Sequence, residues 1–86
     1  MEYRRDGTDV VVEVHGEVDL VTAPQFRHGL MAVIDDQGNL SVVVDLTHLT
    51  FIGSIGLTVL IQARKRLLAK HGHLALRAAP LRRTVS

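Results

Sequence analysis

Ser54 sits in the stretch Gly53-Ser54-Ile55-Gly56, a hydroxyl between glycines. Such a serine could attack a substrate, line a phosphate loop or be modified. Attack needs a base; His48 is the near candidate, and the Gly-x-Ser-x-Gly elbow of hydrolases is absent. A phosphate loop needs a lysine that the stretch lacks. The five histidines are His15, His28, His48, His71 and His73, and none shows a recognised zinc spacing. His71 and His73 straddle an expected helix end and strand start, so they need not converge. The chain has no cysteine, which removes disulfides, thiolate metal sites and cysteine catalysis. No catalytic residue, metal ligand or cofactor is assigned, and the chain reads as a non-enzyme.

The elements that would position Ser54 follow from pattern. Tyr3–Arg5 and Val10–Val14 flank Asp6-Gly7-Thr8-Asp9, which reads as a β-hairpin. Thr22-Ala23-Pro24-Gln25 fits a capping box with Thr22 as N-cap, and Val21 and Phe26 occupy the staple positions. Phe26, Leu30, Val33 and Ile34 form one apolar stripe, so a helix is expected over 23–36. Ser41–Leu46 is a β-branched run, the pattern of a buried strand. A second helix is expected from Ser54 or Ile55 to Lys70, with Leu57, Leu60, Ile61, Arg64, Leu67 and Leu68 at helical spacing. Lys70, His71 and Gly72 mark its end. Leu74, Leu76 and Ala78 alternate as a last strand, and Pro80 could open a third helix. The expected fold class is α/β in the order β-β-α-β-α-β, a mixed and mostly parallel four-stranded sheet in a single domain over 1–86. The C-terminal helix would be short or missing.

Parallel strands end on one rim, where open α/β sheets gather function. That rim would hold Glu17, Asp19, Asp45, Thr47, Thr50, Gly53 and Ser54. Each has a plain structural alternative. Ser54 could be only an N-cap, Asp19 only a cap for its own loop, and Asp45 a tether for the loop that follows it.

Four segments occur in order: Gly16-Glu17-Val18-Asp19, the Thr-Ala-Pro helix start, Val42-Val43-Val44-Asp45-Leu46, and Phe51-Ile52-Gly53-Ser54-Ile55-Gly56-Leu57. Together they resemble the STAS domain of bacterial anti-sigma factor antagonists. The resemblance implies a transcription-regulating protein–protein switch. Its partner would be an anti-sigma factor that is also a serine kinase, and binding it would free a sigma factor. Ser54 matches the phosphorylated serine of the family, and Asp19 an acidic position near it. Asp19, Thr50, Gly53, Ser54, Ile55 and Gly56 are the expected partner-binding residues, with Gly53 and Gly56 keeping the surface low. Gly53 and Ile55 stand where the family usually has an aspartate and a small polar residue. The STAS-like alternative is an accessory subunit docking on a transporter ATPase or a signalling assembly.

The net charge of +1 gives no field toward nucleic acid or an anionic membrane. Arg64-Lys65-Arg66 with Lys70 therefore reads as a solvated face. A polar N-terminus and short apolar runs point to a cytoplasmic protein. A short C-terminus would leave one flank of the sheet or of the second helix uncovered, an arrangement consistent with a homodimer.

Overall fold

The valines of residues 10–14 and 42–44 dominate the architecture. In a computed structural model, which describes residues 1–78, they lie side by side at the centre of a four-stranded sheet. The strands are β1 (Glu2–Asp6), β2 (Asp9–Glu13), β4 (Ser41–Asp45) and β6 (His73–Arg77), in the order β1-β2-β4-β6. β1 and β2 form the antiparallel hairpin, closed by Gly7-Thr8 with Gly7 at φ +64°. β2–β4 and β4–β6 are parallel, so each connection must cross over the sheet. Helices α1 (Ala23–Asp35) and α2 (Ser54–Ala69) make those crossovers.

Two further strands lie within the segments expected as rim loops. β3 (Gly16–Val18) follows β2, and β5 (Leu49–Ile52) follows β4. They pair in parallel as a separate two-stranded ladder, with Glu17 opposite Phe51 and Val18 opposite Ile52. The mixed four-stranded sheet and its two helices stand as the sequence implies, and this ladder is added to them. Pro80 and the expected third helix lie outside the described residues.

The alternation of β2 and β4 turns Val10, Val12, Val42 and Val44 toward the helices. Phe26, Leu30, Val33 and Ile34 of α1 and Val59, Leu60, Ala63 and Leu67 of α2 meet them in one core. All four residues of the α1 stripe are buried. The α2 repeat divides: Leu60 and Leu67 are buried, while Leu57, Ile61 and Leu68 are half exposed. Asn39 is the buried polar residue at the end of α1. Its amide donates to the Val33 carbonyl (2.9 Å), and its Oδ1 accepts from Arg5.

Two local expectations are corrected. Thr22 makes no side-chain cap bond to α1, because its backbone is already helical (φ −91°, ψ −16°) and its hydroxyl faces back into the loop. Val21 is 83 % exposed, so it does not staple Phe26. At the end of α2, His71 takes the left-handed conformation (φ +62°), a backbone region that glycine more often fills. Gly72 serves close approach instead: a Cβ there would stand 2.3 Å from the Leu40 carbonyl oxygen.

Candidate functional site

The β3–β5 ladder gathers the candidate residues. Main-chain bonds from Gly16 N–H to the His48 carbonyl (3.2 Å) and from Gly53 N–H to the Val18 carbonyl (2.9 Å) fasten its two ends. The second of these fixes the chain immediately before α2. Thr50 adds a hydroxyl bond to the Gly16 carbonyl (2.9 Å). Ser54, Asp19, Thr50, Gly53 and Ile55 are thereby brought to one rim.

Ser54 is the first residue of α2 and is exposed; Gly53 is the N-cap. The plain N-cap reading of Ser54 is therefore corrected by one position. With a glycine N-cap, no side chain takes up the free N–H groups of the first turn. Those groups and the helix dipole favour an anion there. Thr58 donates to the Ser54 carbonyl (3.0 Å), a bond to the backbone that does not engage the Ser54 hydroxyl.

Asp19 organises the loop between β3 and α1. Its Oδ1 accepts the N–H groups of Val21 and Thr22, each at 3.0 Å. The Thr22 hydroxyl accepts the Asp19 N–H (2.9 Å). These bonds, led by the Thr22 N–H, hold the Asp19 carboxyl below the usual carboxylate range. Asp45 plays the same part on β4: it accepts the Thr47 hydroxyl (2.7 Å) and N–H (3.0 Å), which lowers its pKa in that order of effect. It tethers the loop, as its position implies.

Gly56 is buried rather than a low patch of surface. A Cβ there would meet Ile52 Cγ1 at 2.6 Å and Val18 Cγ1 at 2.8 Å, so it lets α2 sit down on the rim ladder. Ile55 was legible in the sequence; the exposed apolar side chains of Leu20, Val21 and Phe51 were not. The Asp19 turn leaves Leu20 (79 % exposed) and Val21 in solvent, and Phe51 is 54 % exposed. The signal was the consecutive Leu20-Val21 pair after Asp19, which reads as a staple unless the turn is known.

Glu2, Glu13 and His15 each offer a ligand atom within 4.8 Å of the others, on the exposed end of the hairpin. Arg4 already engages Glu13 there. The His15 ring stacks on His48, with centroids 4.9 Å apart. Among the described residues, no helix is long and apolar enough to cross a membrane.

A family model described as the STAS domain matches residues 1–82. The chain belongs to the STAS domain family. Anti-sigma-F factor antagonist RsfB of Mycobacterium tuberculosis is 36 % identical over 50 residues, which is 58 % of this chain and 40 % of RsfB. This STAS chain thus matches well under half the length of that curated relative. The crystal structure of an anti-sigma factor antagonist from Mycobacterium paratuberculosis is 32 % identical. It superposes with a TM-score of 0.82 over 90 % of this chain and 64 % of that one. The anti-sigma factor antagonist SpoIIAA in its unphosphorylated form, 21 % identical with a TM-score of 0.72, shares the fold.

Proposed function

We propose that this STAS protein is an anti-sigma factor antagonist that binds an anti-sigma factor with serine kinase activity through the rim, and that phosphorylation of Ser54 breaks the complex. The observation that carries the reading is the setting of Ser54. It is exposed and opens a helix whose start is fastened to the β3–β5 ladder, and the segments bordering that ladder expose Leu20, Val21, Phe51 and Ile55. The two mycobacterial relatives are anti-sigma factor antagonists by name, which supports the antagonist part of the reading.

The physics of a switch fits that setting. Phosphorylation adds a charge of about −1.5 to −2. The free N–H groups of the α2 N-terminus would tolerate it in the unbound protein. In a complex, the same charge would be buried against an apolar surface or face like charge. The modification would therefore act on binding more than on folding. Asp19, Thr50 and Gly53 contribute by fixing the rim, and Ile55 by adding apolar contact. With Gly53 in place of the family aspartate, no carboxylate immediately before the serine orients its hydroxyl.

The test is a pull-down from lysate of the source organism with wild-type and Ser54→Asp baits, read by mass spectrometry, followed by phosphorylation of the wild-type protein by the recovered partner. Recovery of an ATP-binding serine kinase by wild type alone, with phosphate mapped to Ser54, is the expected result. Recovery of the same partner by both baits, or of a transporter ATPase, would instead make the chain a constitutive docking subunit.

A further inference from the structure

The chain stays in the sheet for one residue beyond β2, where Val14 N–H bonds the Asp45 carbonyl (3.1 Å). Val14 is buried in the core with Val12. Alternation therefore sends Glu13 and His15 to the other face of the sheet, away from the helices. Glu2 of β1 is paired directly with Glu13 and shares that face. One imidazole and two carboxylates meet there, each with a ligand atom within 4.8 Å of the others.

The pairing of Glu2 with Glu13 is unfavourable as it stands, because like charges directly opposite one another destabilise a sheet. Arg4 takes up Oε2 of Glu13. Glu2 makes no ion pair among the described residues. Glu13 Oε1 stands 3.4 Å from His15 Nε2. That separation exceeds the length of an N–H···O hydrogen bond, about 2.7–3.2 Å. It matches two ligands on one tetrahedral ion: with bonds of about 2.0–2.1 Å to zinc, neighbouring ligand atoms stand ~3.3–3.4 Å apart. Glu2 is exposed, so its side chain is free to turn toward the other two.

His48 steadies the imidazole. Its ring lies parallel to that of His15, with centroids 4.9 Å apart and planes 2° from coincidence in direction. Parallel rings keep their lone pairs in separate planes, so His48 supports the His15 ring and does not share its ion. A ligand held in orientation by its neighbours binds a metal better than a free one.

We propose that Glu2, Glu13 and His15 form a binding site for a divalent transition-metal ion of the zinc type, with water completing the coordination. An imidazole beside two carboxylates suits zinc better than magnesium or calcium, which favour oxygen ligands. Arg4 would keep Glu13 Oε2 while Oε1 binds the ion, as the outer partners of ligating carboxylates do. The ion would tie β1 and β2 to the residue that precedes β3. It would thereby brace the entry to the rim, where the Gly16 N–H bonds the His48 carbonyl (3.2 Å). The site uses none of the residues around Ser54 and does not depend on the anti-sigma reading.

The test is calorimetric titration of the untagged full chain with Zn2+, and with Mg2+ and Ca2+ in parallel, while NMR follows the histidine ring nitrogens. One Zn2+ per chain should bind, shift the His15 ring signals most and raise Tm; Mg2+ and Ca2+ should do none of these. His15→Ala and Glu13→Gln should each weaken Zn2+ binding about tenfold or more, and Glu2→Gln should weaken it as well. His48→Phe keeps a ring in the stack without a nitrogen, and should leave the affinity within about twofold of wild type. His71→Ala with His73→Ala should change nothing. Thermal melts without metal check that each variant is folded. No saturable Zn2+ binding would overturn the proposal. Equal binding by His15→Ala would also overturn it, showing an adventitious ion only. A loss in His48→Phe as large as in His15→Ala would overturn the ligand assignment.

Discussion

Gly56→Ala offers a test in which two well-measured effects have opposite signs. Within a helix, replacing glycine by alanine ordinarily stabilises by about 1 kcal/mol. At Gly56 the added methyl would stand 2.6 Å from Ile52 Cγ1 and 2.8 Å from Val18 Cγ1. Carbon pairs settle at about 3.5–4.0 Å, so two side chains must retreat by about 1 Å at once. Val18 is buried, and both residues belong to the ladder that the start of α2 rests on. Overpacking of this kind costs about 1–3 kcal/mol. The net expectation is a loss of roughly 0–2 kcal/mol, which for a domain of this size lowers Tm by up to about 8–16 °C. Thermal unfolding followed by circular dichroism reads the shift. A second arm removes ambiguity: in an Ile52→Ala background, Gly56→Ala should be less harmful than in wild type, since the clash partner has gone. A raised Tm for Gly56→Ala alone, as helix propensity dictates, would refute the packing argument.

Phe26→Ala should destabilise by about 3–5 kcal/mol in urea unfolding, because Phe26 lies in the core between α1 and the sheet; a loss below about 1 kcal/mol would contradict that placement. Acid should weaken the fold through three carboxylates whose pKa values are lowered, Asp19 by Thr22, Asp35 by Arg66 and Asp45 by Thr47. A lowered folded-state pKa gives stability that is present above the unfolded-state value, about pH 4, and lost as pH falls toward the folded-state value. Tm should therefore hold between pH 7 and 5 and drop below about 4, and the drop should shrink in Asp45→Asn; an unchanged drop in that variant would remove Asp45 from the account.

The sheet and helices were legible because their signals are periodic. Phe26, Leu30, Val33 and Ile34 make a stripe whatever lies opposite, and Val42-Val43-Val44 can hardly be other than a central strand. β3 and β5 were not legible. They have three and four residues, include Gly16 and Thr50, and exist by pairing with each other. The Thr22 region shows a subtler failure. The residues located the start of α1 correctly, yet the hydroxyl bonds the loop before the helix, because Asp19 competes for it. Ser54 was placed at the start of α2, and only the backbone could show that Gly53 takes the cap. At the site, spacing revealed the serine and Asp19, while the exposure of Leu20 and Val21 depended on a turn that side-chain type does not encode.

The rim is held by main-chain hydrogen bonds, from Gly16 to His48, Gly53 to Val18 and Ala23 to Asp19. Backbone bonds do not depend on which side chains stand between them. Leu20, Val21, Phe51 and Ile55 can therefore be exchanged for other residues while the loops keep their shape. A duplicated gene could acquire a new recognition surface by a few such exchanges and stop cross-reacting with its sibling's partner. The scaffold separates what must be inherited unchanged from what is free to diverge.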